Sequence, residues 1–490
     1  MNPKFPYIYP SKPSSSPHTL KNLFKQIIKK RKEKKTTTTT TTIIMANPQV
    51  SLTKSLIVIP KTSNPPKFLE LSNLDRQCPL HMYLIFFYNP SSICTNSSLD
   101  LVFNKLKIGL EETLSIWSPA AGRLDRNPTD GKLNLRCDNR GAILVQAITN
   151  VKISELGDLS NYNDFFEKLV QKPVLNGNFS EFPLVVAQVT RFGCGGYAIG
   201  TGISHSLFDG PAAYDFLSAW ATNSAIFKDD NYKMQTISPV HERGRLLTGT
   251  VANRCSGTVA IDHLYKLIMQ SAMGNEEVGR KEYVCRTFRV SKEMIERLKM
   301  NALGEINGGA FACSSFDLIA AHLWKARTKA LSVSKEKMVC LQFAVDARNK
   351  LMPPLPKGFS GNAFVLASVA LTAKQLDEES YKTIIEMIQK AKSRVDNDYI
   401  NAYQQGLEGP QASLPPLKEL TVVSDWTRMP FHKIQFLHGE AAYASPLKPP
   451  ILEVAYFLQN PTDGQAIDVH VPLLEHTFDA FSSYFLTRMQ

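Results

Sequence analysis

The chain has 490 residues, 43% of them hydrophobic and 20% charged, which suits two cores of roughly 200 residues each better than one. Its formal charge of +12 is concentrated: residues 1–44 hold nine Lys and one Arg against a single Glu, leaving +3 for everything after them. A polyanion-binding function needs a basic folded face, and that balance removes its support. No segment approaches the roughly 20 uncharged residues that span a bilayer, so no integral membrane segment is expected.

Residues 1–44 read as a disordered basic, Thr-rich extension, with "LKNLFKQIIKKRKEKK" followed by seven consecutive Thr. The expected location is cytoplasmic. Residues 1–44 keep three alternatives open: a plastid transit peptide, a nuclear signal in "KKRKEKK", and an endoplasmic reticulum surface patch in "LFKQII". Met45 is an alternative start, because folded-looking sequence begins there at once.

From Val50 the chain alternates strands and helices. "SLIVIP", "MYLIFFYN", "LNLRC", "AILVQAI" and "LVVAQVTRF" are β-branched and aromatic runs bounded by Pro, Gly or Asn. "DLVFNKLKIGLEETLSIW" and "DFFEKLVQ" space their apolar residues by three and four, which predicts helices. "GYAIGTGIS" predicts a strand ending at His205, and "PAAYDFLSAWATNSAIF" a helix with Pro211 in its first turn. Residues 226–280 have weak periodicity and read as a crossover, dividing an N-terminal domain at 45–225 from a C-terminal one at 281–490.

The pattern then restarts. "YVCRTFRV" predicts a strand and "SKEMIERLKMNA" a helix with Ser291 as N-cap. "SSFDLIAAHLWKARTKAL" and "YKTIIEMIQKAKSRVDND" predict two more helices. "MVCLQFAVDAR", "NAFVLASVALT", "ELTVVSDW", "ILEVAYFLQ" and "AIDVHVPL" supply the remaining strands. The fold class is α/β, with two halves of similar style.

Eight cysteines lie scattered without a CxxC pair, which predicts free thiols in a reducing compartment. With no HExxH motif and no Cys/His cluster, no metal site is expected. Ser360 in "GFSGN" lacks the GxSxG elbow of a hydrolase nucleophile, and the glycines from Gly193 to Gly202 follow no dinucleotide-binding spacing. Trp324 reads as core as readily as channel wall.

The chemistry centres on "GTGISHSLFDGPAAYDF". A histidine on a strand-to-helix turn can sit neutral in a cleft and accept a proton near pH 7. A helical His205–Asp209 pair at i and i+4 could instead bind a metal. Pro211 disfavours helix at the residue before it, so Asp209 is expected to point elsewhere.

The run "PLVVAQVTRFGCGGYAIGTGISHSLFDGPAAYDFLSAWA" resembles the signature of the BAHD acyltransferases, which move an acyl group from a coenzyme A thioester to a hydroxyl or amine. "LSNLDRQCPLHMYLIFFYNP", "SPAAGRLDRN", "SSFDLIAAHLWKART", "VDARNKLMPPLPKGFSGNAF" and "SDWTRMPFHKIQFLHGEA" follow in family order. The resemblance implies two chloramphenicol-acetyltransferase-like domains with a channel between them. His205 would be the general base, while Asp209 pairs with Arg348 and, with Gly210, holds the loop. Asn362 is a channel candidate. No bound cofactor is implied; acyl-CoA enters as co-substrate, the partners are small molecules rather than nucleic acid, and the chain is expected to be a monomer.

One motif departs from the family. Where its members carry Asp-Phe-Gly-Trp-Gly, this chain has Gln435, Phe436, Leu437, His438 and Gly439. Those positions would shape the channel wall and the CoA side. Their erosion keeps open an alternative function, a non-catalytic accessory or binding protein on the same fold.

Overall fold

The computed structural model describes residues 49–78, 80–91, 98–173, 179–224, 237–247, 283–303, 312–407, 419–448, 454–487 and 489. Residues 1–44 and Met45, and the crossover apart from 237–247, lie outside that set.

Two six-stranded mixed sheets carry the fold. The first has the order β1 (Ser51–Val58), β6 (Ala142–Ile148), β7 (Val185–Arg191), β8 (Tyr197–Ser204), β3 (His81–Tyr88) and β13 (Tyr443–Pro446). The second runs β11 (Phe364–Thr372), β10 (Met338–Asp346), β12 (Leu420–Asp425), β14 (Val454–Gln459), β15 (Ile467–Leu474) and β9 (Tyr283–Val290). A small sheet joins β2 (Lys67–Leu69), β5 (Leu133–Cys137) and β4 (Arg123–Arg126). β13 belongs to the later half of the chain yet completes the first sheet, pairing antiparallel with β3 from Tyr443 opposite Phe87 to Pro446 opposite Leu84.

The helices are α1 (Asn73–Arg76), α2 (Leu99–Ile116), α3 (Gly210–Ser224), α4 (Lys292–Leu303), α5 (Ser315–Ala330), α6 (Ala373–Glu378), α7 (Tyr381–Ser393), α8 (Asn397–Gly406) and α9 (Phe478–Leu486). Ser98, Ser314 and Ser380 open α2, α5 and α7 by accepting a first-turn backbone N–H, the role that short hydroxyl side chains fill at helix starts. Ser291 does the same for α4, accepting from Met294 N at 3.3 Å. α2 and α3 approach closely at Gly109, where a Cβ would lie 2.4 Å from the Ser224 nitrogen. Trp220 on α3 is buried there and donates its indole N–H to Leu106 O at 2.9 Å.

Two sequence expectations change. The helix predicted through Asp398 stops at Ser393, because Asp396 leaves helical geometry and accepts from Tyr399 N to start α8; an Asp N-cap competes directly with helix continuation. The segment "DFFEKLVQ" forms a short 3-10 helix, Asp164–Leu169, opened by the Asn163 side chain.

β8 places the site. Every residue from Tyr197 to Ser204 is buried, as a strand flanked by β7 and β3 and covered on its faces must be, and its small and apolar sequence fits that position. The strand stops at Ser204, the turn 205–207 follows, and α3 begins at Gly210.

Candidate active site

His205 sits where the two sheets meet. Its backbone N–H donates to Leu80 O at 2.7 Å, tying the turn to the strand beside it. Its side chain is half-buried and faces a cavity of about 800 Å³. The cavity takes Leu80, just before β3, and Met82 of the first sheet, and Leu366, Val422, Val454 and Phe457 among others from the second. The Phe364 ring lies 5.7 Å from the imidazole.

The imidazole Nδ1 lies 3.0 Å from Asn362 Oδ1, while Asn362 Nδ2 donates to the His205 carbonyl at 2.6 Å. The direction of these bonds follows from chemistry. A carbonyl oxygen only accepts, so the amide NH₂ must face it and Oδ1 must face the ring. Nδ1 therefore carries the hydrogen and Nε2 the lone pair. A neutral imidazole held this way accepts a proton at Nε2.

Desolvation lowers the His205 pKa below its ordinary value; the His205 carbonyl, the Asp209 charge, Asn362 and Asp75 oppose that shift without reversing it. The sign for catalysis is direct: a base with a lowered pKa stays unprotonated to lower pH. The acid limb of a kcat/KM profile is expected below about 6.5, the unperturbed imidazole value. A limb at or above that pH would contradict this environment for the ring.

Asp209 turns away from the imidazole. Both its oxygens accept from Arg348, Nη1 to Oδ2 and Nη2 to Oδ1, each at 2.8 Å. The same carboxylate accepts from Ala212 N at 3.1 Å and from Ala363 N at 3.0 Å. It thus caps α3 and joins the first sheet's turn to the second sheet's β10–β11 corner. Burial opposes the charge on Arg348, but the Asp209 carboxylate holds its pKa above the usual arginine value. Gly210, the first residue of α3, lies on the cavity wall against Met429; a Cβ there would come within 2.8 Å of the Met429 sulfur.

The other sequence-derived positions fall elsewhere. Asn362 is fully buried behind His205 and is not part of the cavity lining. Gln435, Phe436, His438 and Gly439 also lie outside the lining, which reaches only Met429 in that stretch. Phe436 is core, edge-on to Phe86 and Trp220 at 5.3 and 4.8 Å, and His438 is exposed. Gly439 takes the left-handed conformation, φ 82°, whereas Leu437 does not, so a leucine at 437 carries no backbone strain.

Sequence reasoning did not reach several lining groups: Cys78, Tyr214, Asp215, Asp346, Trp426 and Arg428. Burial raises the pKa of the Asp215 carboxyl, with Arg348 and Asp209 acting in opposite directions on it. The Cys78 thiol is pushed up to about 12 by burial, so it is not a thiolate nucleophile at neutral pH. The signal for Tyr214 and Asp215 was available, since they follow His205 at the start of a predicted helix whose first turn adjoins the site. Lys350 and Lys392 also line the cavity; Lys392 pairs with Asp317 at 2.6 Å.

The model of the protein family described as "Transferase family" matches residues 48–487. Brassinosteroid-related acyltransferase 1 of Arabidopsis thaliana is 49% identical over 457 residues, 89% of this chain and 98% of the relative. Omega-hydroxypalmitate O-feruloyl transferase of the same plant is 28% identical over 443 residues, 89% and 93% of the two chains. Among solved structures, vinorine synthase matches with a TM-score of 0.69 at 20% identity, covering 90% of this chain and 98% of that one. F. sporotrichioides TRI101 complexed with coenzyme A and T-2 matches with a TM-score of 0.64 at 14% identity, covering 85% and 97%.

Two mixed sheets of this order make the molecule a chloramphenicol-acetyltransferase-like α/β protein. The chain belongs to the Transferase family, the BAHD acyltransferases, whose members depend on acyl-CoA. Among the described residues, no helix is long and apolar enough to cross a membrane.

Proposed function

We propose that the protein transfers the acyl group of an acyl-CoA to a hydroxyl of a largely apolar, steroid-like acceptor, with His205 as general base. The observation that carries this reading is the cavity-facing imidazole whose Nδ1 is engaged by Asn362. Nε2 takes the acceptor's O–H proton as the oxygen attacks the thioester carbonyl. The tetrahedral intermediate then expels the CoA sulfur, which takes the proton from the imidazolium and leaves as free thiol. The products are an ester and CoA, and no covalent enzyme intermediate forms. Asp209 and Arg348 hold the loop without handling the proton.

The acceptor class rests on two supports. The second sheet lines the cavity with Val422, Val423, Val454, Phe457 and Ile467, and such a wall favours a rigid apolar body over a highly polar one. The relative at 49% identity is named for brassinosteroids. Lys350 and Arg428, which line the same cavity, are the candidates for contact with the CoA phosphates. The described cysteines, Cys78, Cys137, Cys194, Cys285, Cys313 and Cys340, are free thiols, which supports a reducing compartment such as the cytoplasm. Residues 45–225 and 281–490 are read as the two acyltransferase lobes.

The accessory-protein alternative loses its motive, because the eroded motif at Gln435–Gly439 adds nothing to the cavity lining. The test is a thiol-release screen of acetyl-, aliphatic and hydroxycinnamoyl-CoA against hydroxylated steroids and simple alcohols. Acceptor-dependent thiol release with at least one steroid is expected. Acceptor-dependent release only with amines or small polar alcohols would overturn the acceptor class, and none with any pair would overturn the transfer itself.

A further inference from the structure

The Asn362 amide that orients His205 is itself held, and the holder is a buried ion pair. Asn362 donates twice to Asp75 Oδ1, from its backbone N at 2.9 Å and from Nδ2 at 3.2 Å. Asp75 Oδ2 accepts from Ser72 N at 3.0 Å and Ser72 Oγ at 2.8 Å. Arg243 closes the site with Nε on Oδ2 at 3.0 Å and Nη2 on Oδ1 at 3.3 Å. Both side chains of the pair are 0% exposed.

Arg243 is anchored in turn. Its Nη1 donates to His241 O at 2.6 Å and to Ser360 O at 2.9 Å. Its guanidinium lies so close to Gly361 that a Cβ there would come within 2.9 Å of Cζ. The ion pair thus joins three stretches: the capping box of α1, the 237–247 segment, and the approach to β11. Burial raises the Asp75 pKa, but Arg243, Asn362 and Ser72 more than offset it, so the carboxyl stays below its ordinary value and ionised.

We propose that the Asp75–Arg243 pair is a positioning device for the acyl transfer: an ionised carboxylate that fixes which way the Asn362 amide faces and, through it, the tautomer of His205. This deepens the general-base reading and rests on it. The physical reason is donor–acceptor parity. An ionised carboxylate can only accept, so Asp75 and the His205 carbonyl both demand the NH₂ of Asn362. A flipped amide would set its oxygen against two other acceptors. Oδ1 is therefore committed to Nδ1, and Nε2 to the lone pair. Without the charge on Asp75 one of the two demands disappears, and the Nε2–H tautomer, which cannot act as base toward the cavity, becomes accessible.

A buried ion pair is weak evidence of net stabilisation but suits a role in specifying one arrangement, and a small misplacement of a reacting group can cost about 100-fold in activity. The charges near the imidazole are Asp75 with Arg243, and Asp209 with Arg348; Asp215 lines the same cavity.

The experiment uses full-length protein labelled with 15N-histidine, read by two-bond 1H–15N correlation, alongside the pH profile of thiol release. Wild type is expected to show His205 as the Nδ1–H tautomer; an Nε2–H tautomer overturns the proposal without any variant. In Asp75→Asn, kcat is expected to fall on the order of 10- to 100-fold with KM for acyl-CoA within about twofold. The His205 signal should become a tautomer mixture, and the acid limb should move to lower pH, because a negative charge near the imidazolium is gone. If activity falls only in proportion to folded protein, with tautomer and limb unchanged, the pair is merely structural and the proposal fails. Should that variant not fold, Arg243→Gln carries the same test, because Asp75 buried without its cation is driven towards the protonated, uncharged form: a loss in kcat with a detectable Nε2–H population supports the proposal, and a wild-type tautomer overturns it. The tautomer needs no turnover, so absent acyl transfer would sink the function while leaving the positioning result readable.

Discussion

In a thiol-release assay, His205→Ala is expected to turn over acyl-CoA and acceptor on the order of 100- to 10,000-fold more slowly than wild type, the usual worth of a positioned general base. The loss should fall on kcat, with KM for acyl-CoA little changed, because the imidazole acts on the proton rather than on the donor. Stability should change little. The ring is half-buried and its Nδ1 bonds the Oδ1 of buried Asn362, so its removal costs about 1–3 kcal/mol, the penalty for leaving that acceptor without its donor. A melting temperature close to wild type beside collapsed turnover separates chemistry from folding. Full turnover in this variant would leave the cavity with another base, and Asp215, whose pKa burial raises, would be the first group to test.

How far the sequence reaches is clear from particular residues. Strands such as Leu133–Cys137, Ala142–Ile148 and Tyr283–Val290 form over the very runs that their alternation and β-branched content marked out. Tyr443–Pro446 was not legible, because four residues are too few for a period and its partner β3 lies far away in sequence. The turn at His205 was legible because strand end, Gly210 and Pro211 all act locally. What reaches across the sheets was not. "LSNLD" carries the S-x-x-D spacing of a capping box, and Ser72 and Asp75 do form one. No local pattern could say that the same carboxylate also holds Asn362, or that Arg243 would arrive from a stretch of weak periodicity. The resemblance puts Asn362 on the channel, whereas its amide lies behind the ring, since hydrogen bonds to Asp75 and to the His205 carbonyl pull it inward.

Asp209→Ala is expected to destabilise the fold by about 3–5 kcal/mol, the cost of leaving one member of a buried ion pair uncompensated, which should lower Tm on the order of 5–10 °C. The Asp209 side chain is only 3% exposed and that of Arg348 16%, so solvent cannot replace the lost carboxylate. Two backbone donors, Ala212 N and Ala363 N, lose their acceptor at the same time. Asp209→Asn keeps the shape and one accepting oxygen, and should cost less. The pair of variants also decides between two roles. If Asp209 relayed charge to the imidazole, its carboxylate would have to bond Nδ1; that nitrogen is engaged by Asn362, and both Asp209 oxygens face Arg348. Asp209→Asn should therefore retain kcat within about tenfold of wild type while its melting temperature falls, whereas the loss of a carboxylate that orients a catalytic imidazole directly is worth about 10⁴. A loss of that size at an unchanged melting temperature would show that the carboxylate takes part in the chemistry and not only in holding the loop.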